Sequence, residues 1–215
     1  MRIYAVADLH GRLDKMDLVT RNTERFKPDA IVAAGDLTPF LRPRSSLAEL
    51  GRLGVPVLAV TGNSDFLGGR RAISRADGIE DLHLNPTTVN GVEFVGLSGT
   101  VPVPFRTRVG LLEGSLFQQL ESLVNRHTVV VAHSPPFGVL DKVAGKLHAG
   151  STRLRRFLET ARPRLFICGH IHEDAGVEQY NDTLVVNASV GGAGQGAIIE
   201  FNAEGTINAE IIDSR

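Results

Sequence analysis

Short apolar runs recur along the chain at Ile3–Ala7, Ile31–Ala34, Val57–Thr61, Val92–Leu97, Thr128–Ala132, Leu165–Cys168 and Leu184–Asn187. They are aliphatic or β-branched, as strands buried on both faces are. Between them, Leu13–Phe26, Ser45–Leu53, Leu111–Arg126 and Thr152–Arg162 carry apolar residues at helical spacing. Ser45-Ser46 ahead of Leu47 offers a serine N-cap for the second of these helices. Strand–helix–strand order predicts βαβ units and a mostly parallel sheet at the front of the chain. The tail breaks that rhythm. Gly196–Phe201 and Thr206–Ile212, separated by Asn202-Ala203-Glu204-Gly205, read as a hairpin, so the second sheet is expected to be mixed or antiparallel.

No repeat, low-complexity tract or linker divides the 215 residues, so one domain spanning 1–215 is expected. Hydrophobic content of 42% provides for a sizeable core, and charged content of 22% is ordinary for a soluble protein. A net charge of −1 argues against a dedicated nucleic-acid binder. The single cysteine, Cys168, cannot form an internal disulfide and reads as a buried small residue in a reducing compartment. The apolar start reaches Asp8 too soon for a signal peptide, and no run approaches the length of a membrane span. The expected location is the cytoplasm; the oligomeric state is left open.

The polar blocks that end these runs change the picture. Asp8-Leu9-His10-Gly11, Gly35-Asp36, Gly62-Asn63-Ser64-Asp65, His133 and Gly169-His170-Ile171-His172 all follow predicted strands, and they hold four of the seven histidines. In open α/β sheets the carboxyl edge of the strands is where ligands bind. Gly11, Gly35, Gly62 and Gly169 allow tight turns there. Oxygen and imidazole donors without thiolate suit Mn2+, Fe, Zn2+ or a mixed pair. Seven such donors exceed the needs of one ion, so the chain reads as a two-metal hydrolase.

In this order, Asp8-x-His10, Gly35-Asp36, Gly62-Asn63-x-Asp65, His133 and Gly169-His170-x-His172 resemble the motif set of calcineurin-like metallophosphoesterases. The segment from His133 to Asp141, with Glu173 after His172, is similar to the small MPPED-like branch. The resemblance implies a four-layer α/β/β/α sandwich of two mixed sheets with a dinuclear metal site at the carboxyl ends of the strands. It implies that Asp8, His10, Asp36 and His172 hold one ion, and that Asp36, as a bridge, with Asn63, His133 and His170 holds the other. Mn2+ is expected first, ahead of Fe, Zn2+, Ni2+ or Mg2+. The reaction it implies is attack of a metal-bridging hydroxide on a small phosphate ester, with Asp36, Asn63 and His133 acting through metal and phosphate.

Ser64 departs from the pattern, since many members have histidine there. A hydroxyl cannot titrate near neutral pH, and general acid catalysis is typically worth roughly 10²–10⁴-fold. That loss tilts the expectation toward phosphodiesters. The rivals are a nucleotide or protein phosphatase and a non-catalytic binding scaffold on the same fold; a nuclease of the Mre11 type normally needs further parts. His148 is a candidate substitute acid, though a loop histidine is the commoner case. Arg42, Arg44, Arg106 and Arg108 lie in predicted loops where they could clamp phosphate. Asp65 reads as structural, His83 and His127 as surface residues, and Gly191–Gly196 as a flexible turn.

Overall fold

The computed structural model describes residues 1–39, 43–65, 69–99, 110–202 and 204–213, without the side chains of 43, 44 and 110–113. The first half runs β1 (Arg2–Val6), α1 (Leu13–Phe26), β2 (Ala30–Ala34), α2 (Pro43–Gly51), β3 (Val57–Val60), α3 (Gly69–Ile73), β4 (Ile79–Asp81), β5 (Thr87–Val89) and β6 (Val92–Leu97). The second half runs α4 (Gly110–Ser122), β7 (Val129–Ala132), β8 (Lys142–Val143), β9 (Leu147–His148), α5 (Thr152–Ala161), β10 (Leu165–Cys168), β11 (Gly176–Tyr180), β12 (Thr183–Asn187), β13 (Ala197–Phe201) and β14 (Ile207–Ile211).

Two six-stranded sheets form, in the orders β14-β13-β1-β2-β3-β4 and β11-β12-β10-β7-β6-β5. β1 to β4 are parallel, as are β6, β7, β10 and β12. Alternation of side chains along each strand divides the apolar residues among three cores. Ile3, Ala5 and Ala7 face Val129, Val131, Ile167 and Val186 in a core between the sheets. Tyr4 and Val6 point the other way, toward Met16 and Val19 of α1, Leu47 and Leu50 of α2, and Ile73 of α3. Val130, Phe166 and Val185 meet Leu120 of α4 and Leu154, Phe157 and Leu158 of α5. The result is the expected α/β/β/α sandwich. Ser151 caps α5, accepting the Leu154 N–H at 3.2 Å.

Two expectations are corrected. The tail hairpin β13–β14 joins the first sheet, with β13 antiparallel to β1; the second sheet is mixed as expected, but through β5 and β11 at its edges. α2 begins at Pro43 and takes Ser45 and Ser46 into its body, so neither is its cap. Proline, with φ preset and no N–H to lose, suits the first helical position.

At the carboxyl edge the sheets are laced together. Ala7 extends β1 and forms a parallel bridge to Ser189, just past β12, through Ala7 N to Ala188 O and Val190 N to Ala7 O. Gly96 of β6 packs against Val60 of the other sheet. A Cβ there would stand 2.4 Å from Val60 Cγ1 and 2.9 Å from Leu82 Cβ. Gly96→Ala is expected to overpack this layer and cost roughly 1–3 kcal/mol. Urea unfolding should show a lowered midpoint with an unchanged m-value; an unchanged midpoint would show that the sheets yield freely.

Candidate metal centre

The parallel strands of both sheets end on one edge, and the polar blocks emerge from it. Asp8 and His10 follow β1, Asp36 follows β2, Asn63 follows β3, His133 follows β7, and His170 and His172 follow β10. The backbone there is unusual. Asp8, His10, Asp36 and His170 all have φ between 49° and 71°, a region that side-chain-bearing residues seldom occupy. The chain holds them there through Asp8 N to Gly35 O, His10 N to Asp36 O and Gly169 N to His133 O.

His133 is fully buried, and its Nδ1 lies 2.9 Å from the Ala34 carbonyl oxygen. A carbonyl only accepts, so Nδ1 carries the hydrogen and Nε2 of the neutral ring is a bare lone pair. That lone pair faces three more acceptors: Asn63 Oδ1 at 3.1 Å, Asp36 Oδ2 at 3.4 Å and Asp8 Oδ1 at 3.9 Å. Acceptors do not converge in a buried place without positive charge among them. In the metal-free chain a proton serves. Burial alone would lower the His133 pKa, but Asp36 and Asp8 overcome it and raise it. Burial opposes ionisation of Asp36 as well, yet the His133 ring and the Ser64 amide hold its carboxyl well below the usual range.

A second gathering lies beside the first. Ligand atoms of Asp8, His10 and His172 fall within 4.8 Å of one another, as do those of Asp8, Asp36 and His133. Asp8 Oδ1 is buried without a hydrogen-bond partner and lies 3.4 Å from His172 Nε2. Burial pushes the Asp8 carboxyl up, and the His172 and His133 rings more than reverse it; Asp8 in turn raises His172. Asp36 Oδ2 reaches both gatherings, at 3.4 Å from His133 Nε2 and 3.9 Å from His10 Nε2. Two ligands about 2.1 Å from one ion at tetrahedral angles stand about 3.4 Å apart. The donor set therefore fits divalent ions. His170 packs edge-on to His133, ring centroids 5.0 Å apart, and burial followed by the His133 charge keeps it neutral. It belongs to neither three-residue group.

Sequence reasoning missed several supports. A Cβ on Gly62 would come 2.2 Å from Asp36 Oδ1, and one on Gly191 2.5 Å from the His172 ring. Gly191 is thus part of the cradle, where the sequence reads only a flexible turn. Asp65, expected to be structural, is so: it accepts from Leu37 N, Thr38 N, Thr38 Oγ1 and Gly62 N at 2.8–2.9 Å and ties the Asp36 loop to the Asn63 loop. Buried Asn187 donates to the carbonyls of Ile171, Asp174 and Leu140, fixing the turn that carries His172. His83 is half-buried, which corrects its reading as a surface residue. Its Nδ1 accepts the Ser98 N–H at 2.9 Å, and Ser98 Oγ accepts that of Thr61 beside Gly62. Burial lowers its pKa, as an acceptor role requires. His127 is exposed as expected.

His148 lies outside both groups. It sits in the β8–β9 hairpin, paired through Nδ1 with buried Asp141 and packed on Phe137. Arg42, Arg106, Arg108 and the side chain of Arg44 lie outside the described residues.

With this geometry in place, the likenesses to known proteins take on meaning. The family model described as calcineurin-like phosphoesterase matches residues 1–174. An uncharacterised protein of Methanocaldococcus jannaschii is 28% identical over 199 residues, covering 88% of each chain. A dimetal phosphatase from Danio rerio has the same fold, with a TM-score of 0.64 at 12% identity, covering 100% of this chain and 99% of that one. So has an archaeal phosphodiesterase, with a TM-score of 0.57 at 13% identity and coverage of 99% and 100%. Family match and donor set agree, and the chain belongs to the calcineurin-like phosphoesterases.

Proposed function

We propose that this chain, as a single domain, is a dinuclear phosphodiesterase acting on a small phosphate ester in the cytoplasm. Its class, a metal-dependent phosphoric ester hydrolase, follows from the family and the candidate ligand clusters. The observation that carries the two-ion reading is the position of Asp36 Oδ2, within 4 Å of one imidazole from each gathering. Asp8, His10 and His172 with Asp36 would hold one ion; Asp36, Asn63, His133 and His170 would hold the other. Divalent ions bound there supply Lewis-acid grip on phosphate oxygens and a water of lowered pKa.

The chain's own residues prepare that chemistry. The Ala34 carbonyl fixes the His133 tautomer, so that Nε2 of the neutral ring offers its lone pair. The Ser64 N–H occupies Asp36 Oδ1 at 2.8 Å and leaves Oδ2 for the centre. Asn63 adds oxygen without further negative charge where an anionic ester must approach. Its exposure, beside buried Asp8 and Asp36, supports a place for it on the substrate side of the cluster. Buried Cys168 accords with a reducing compartment, and among the described residues no helix is long and apolar enough to cross a membrane.

Elemental analysis after Mn2+ reconstitution should find two ions per chain, and chelation should abolish hydrolysis. Asp36→Asn should lower kcat/KM by at least roughly 100-fold, the scale of single preorganised groups. One ion per chain, or an Asp36→Asn enzyme of native activity, would count against the shared carboxylate.

Protons and metal compete for His133 and His172. Both are raised in the metal-free chain, so the protonated rings persist to higher pH than a free histidine, whose pKa is about 6.5. Mn2+ affinity should therefore weaken as pH falls, with the loss beginning above that value. Competition titrations at a series of pH values measure it; an affinity flat from about pH 8 to about pH 6 contradicts the proton-for-metal exchange.

No imidazole at position 64 assists the leaving group. Bis(p-nitrophenyl) phosphate should be turned over faster than p-nitrophenyl phosphate, and rates should depend steeply on leaving-group pKa. A preference for alkyl monoesters would instead mark a phosphatase with another acid.

A further inference from the structure

Ser64 fills the place of an imidazole, but its surroundings give it work of a different kind. Its Oγ lies 3.2 Å from His10 Nδ1, and its N–H donates to Asp36 Oδ1 at 2.8 Å. One residue of the β3 loop thus touches ligand candidates from the β1 and β2 loops. His10 needs such help. Its side chain is about a third exposed (35%), its Nε2 is 3.9 Å from Asp36 Oδ2, and one of its ring nitrogens joins the Asp8–His172 gathering. A half-open ring can rotate, and its hydrogen can settle on either nitrogen; the bond made by one nitrogen decides what the other offers. For Nε2 to offer a lone pair to an ion, Nδ1 must carry the hydrogen, and the Ser64 hydroxyl oxygen stands within reach to accept it.

We propose that Ser64 is a positioning residue: its hydroxyl accepts the Nδ1 hydrogen of His10, fixing the ring so that unprotonated Nε2 completes the ion site of Asp8 and His172. This rests on the dinuclear reading above. It makes Ser64 a link between His10, held by its hydroxyl, and Asp36, held by its backbone N–H, coupling the ligands of one ion to the carboxylate that serves both. The loss of an imidazole here is then accompanied by a gain in metal retention.

The test is Mn2+ titration of the native chain, with free ion read by electron paramagnetic resonance, beside Ser64→Ala, Ser64→Thr, His10→Ala and the Ser64→Ala/His10→Ala double variant. Ser64→Ala keeps the backbone bond to Asp36 and removes only the hydroxyl. One of its two sites should weaken by about 10–100-fold, the usual cost of losing a partner behind a metal ligand, while the other holds. Ser64→Thr should restore the affinity. In the His10→Ala background, Ser64→Ala should cost nothing more, because the hydroxyl acts through that ring. Native affinities at both sites in Ser64→Ala, or an undiminished loss in the His10→Ala background, would overturn the proposal and leave the dinuclear reading intact. A native chain with fewer than two sites would overturn that reading, and this inference with it.

Discussion

Lone pairs brought together need a positive charge among them, and the carboxyl edge of this fold is built around that requirement. Asn63 Oδ1, Asp36 Oδ2 and Asp8 Oδ1 stand 3.1–3.9 Å from His133 Nε2. With the Nδ1 hydrogen claimed by the Ala34 carbonyl, the neutral ring has none to offer them. What keeps the acceptors from swinging apart is the sandwich beneath. The core between the sheets sets the spacing of the strand ends, and the Ala7–Ser189 bridge closes the two sheets just below the cluster. Apolar packing thus holds an electrostatic arrangement that the chain alone would relax.

That division explains what could be read from the sequence. Long aliphatic runs identify themselves, and 92–97, 165–168 and the helix 13–26 coincide with the observed elements. The polar blocks were legible because strand ends in parallel sheets share an edge, so residues far apart in sequence are brought together by topology alone. The short strands β4, β5 and β11 were not legible: they are only partly buried and lack a clean apolar pattern. The partner of the tail hairpin was not legible either, because pairing of β13 with β1 joins the two ends of the chain and no local signal encodes it.

Within the site, the side chains that face the centre announced themselves by type, whereas those behind them did not. A serine, a glycine pair or an asparagine is ordinary in a loop. Ser64, Gly191 and Asn187 gain meaning only from what stands next to them: an imidazole nitrogen, an imidazole ring and three carbonyls. His83 shows the same thing at greater remove, since its ring is tied through Ser98 to the strand end that leads into Asn63.

Asp65 carries a different consequence. Its carboxylate takes four donors from two loops, three on Oδ1 and one on Oδ2. The Asp36 loop and the Asn63 loop are therefore tied to each other through a residue outside both three-residue ligand groups. A substitution at position 65 would reach the assay disguised as the loss of a ligand, although every ligand remained in the chain.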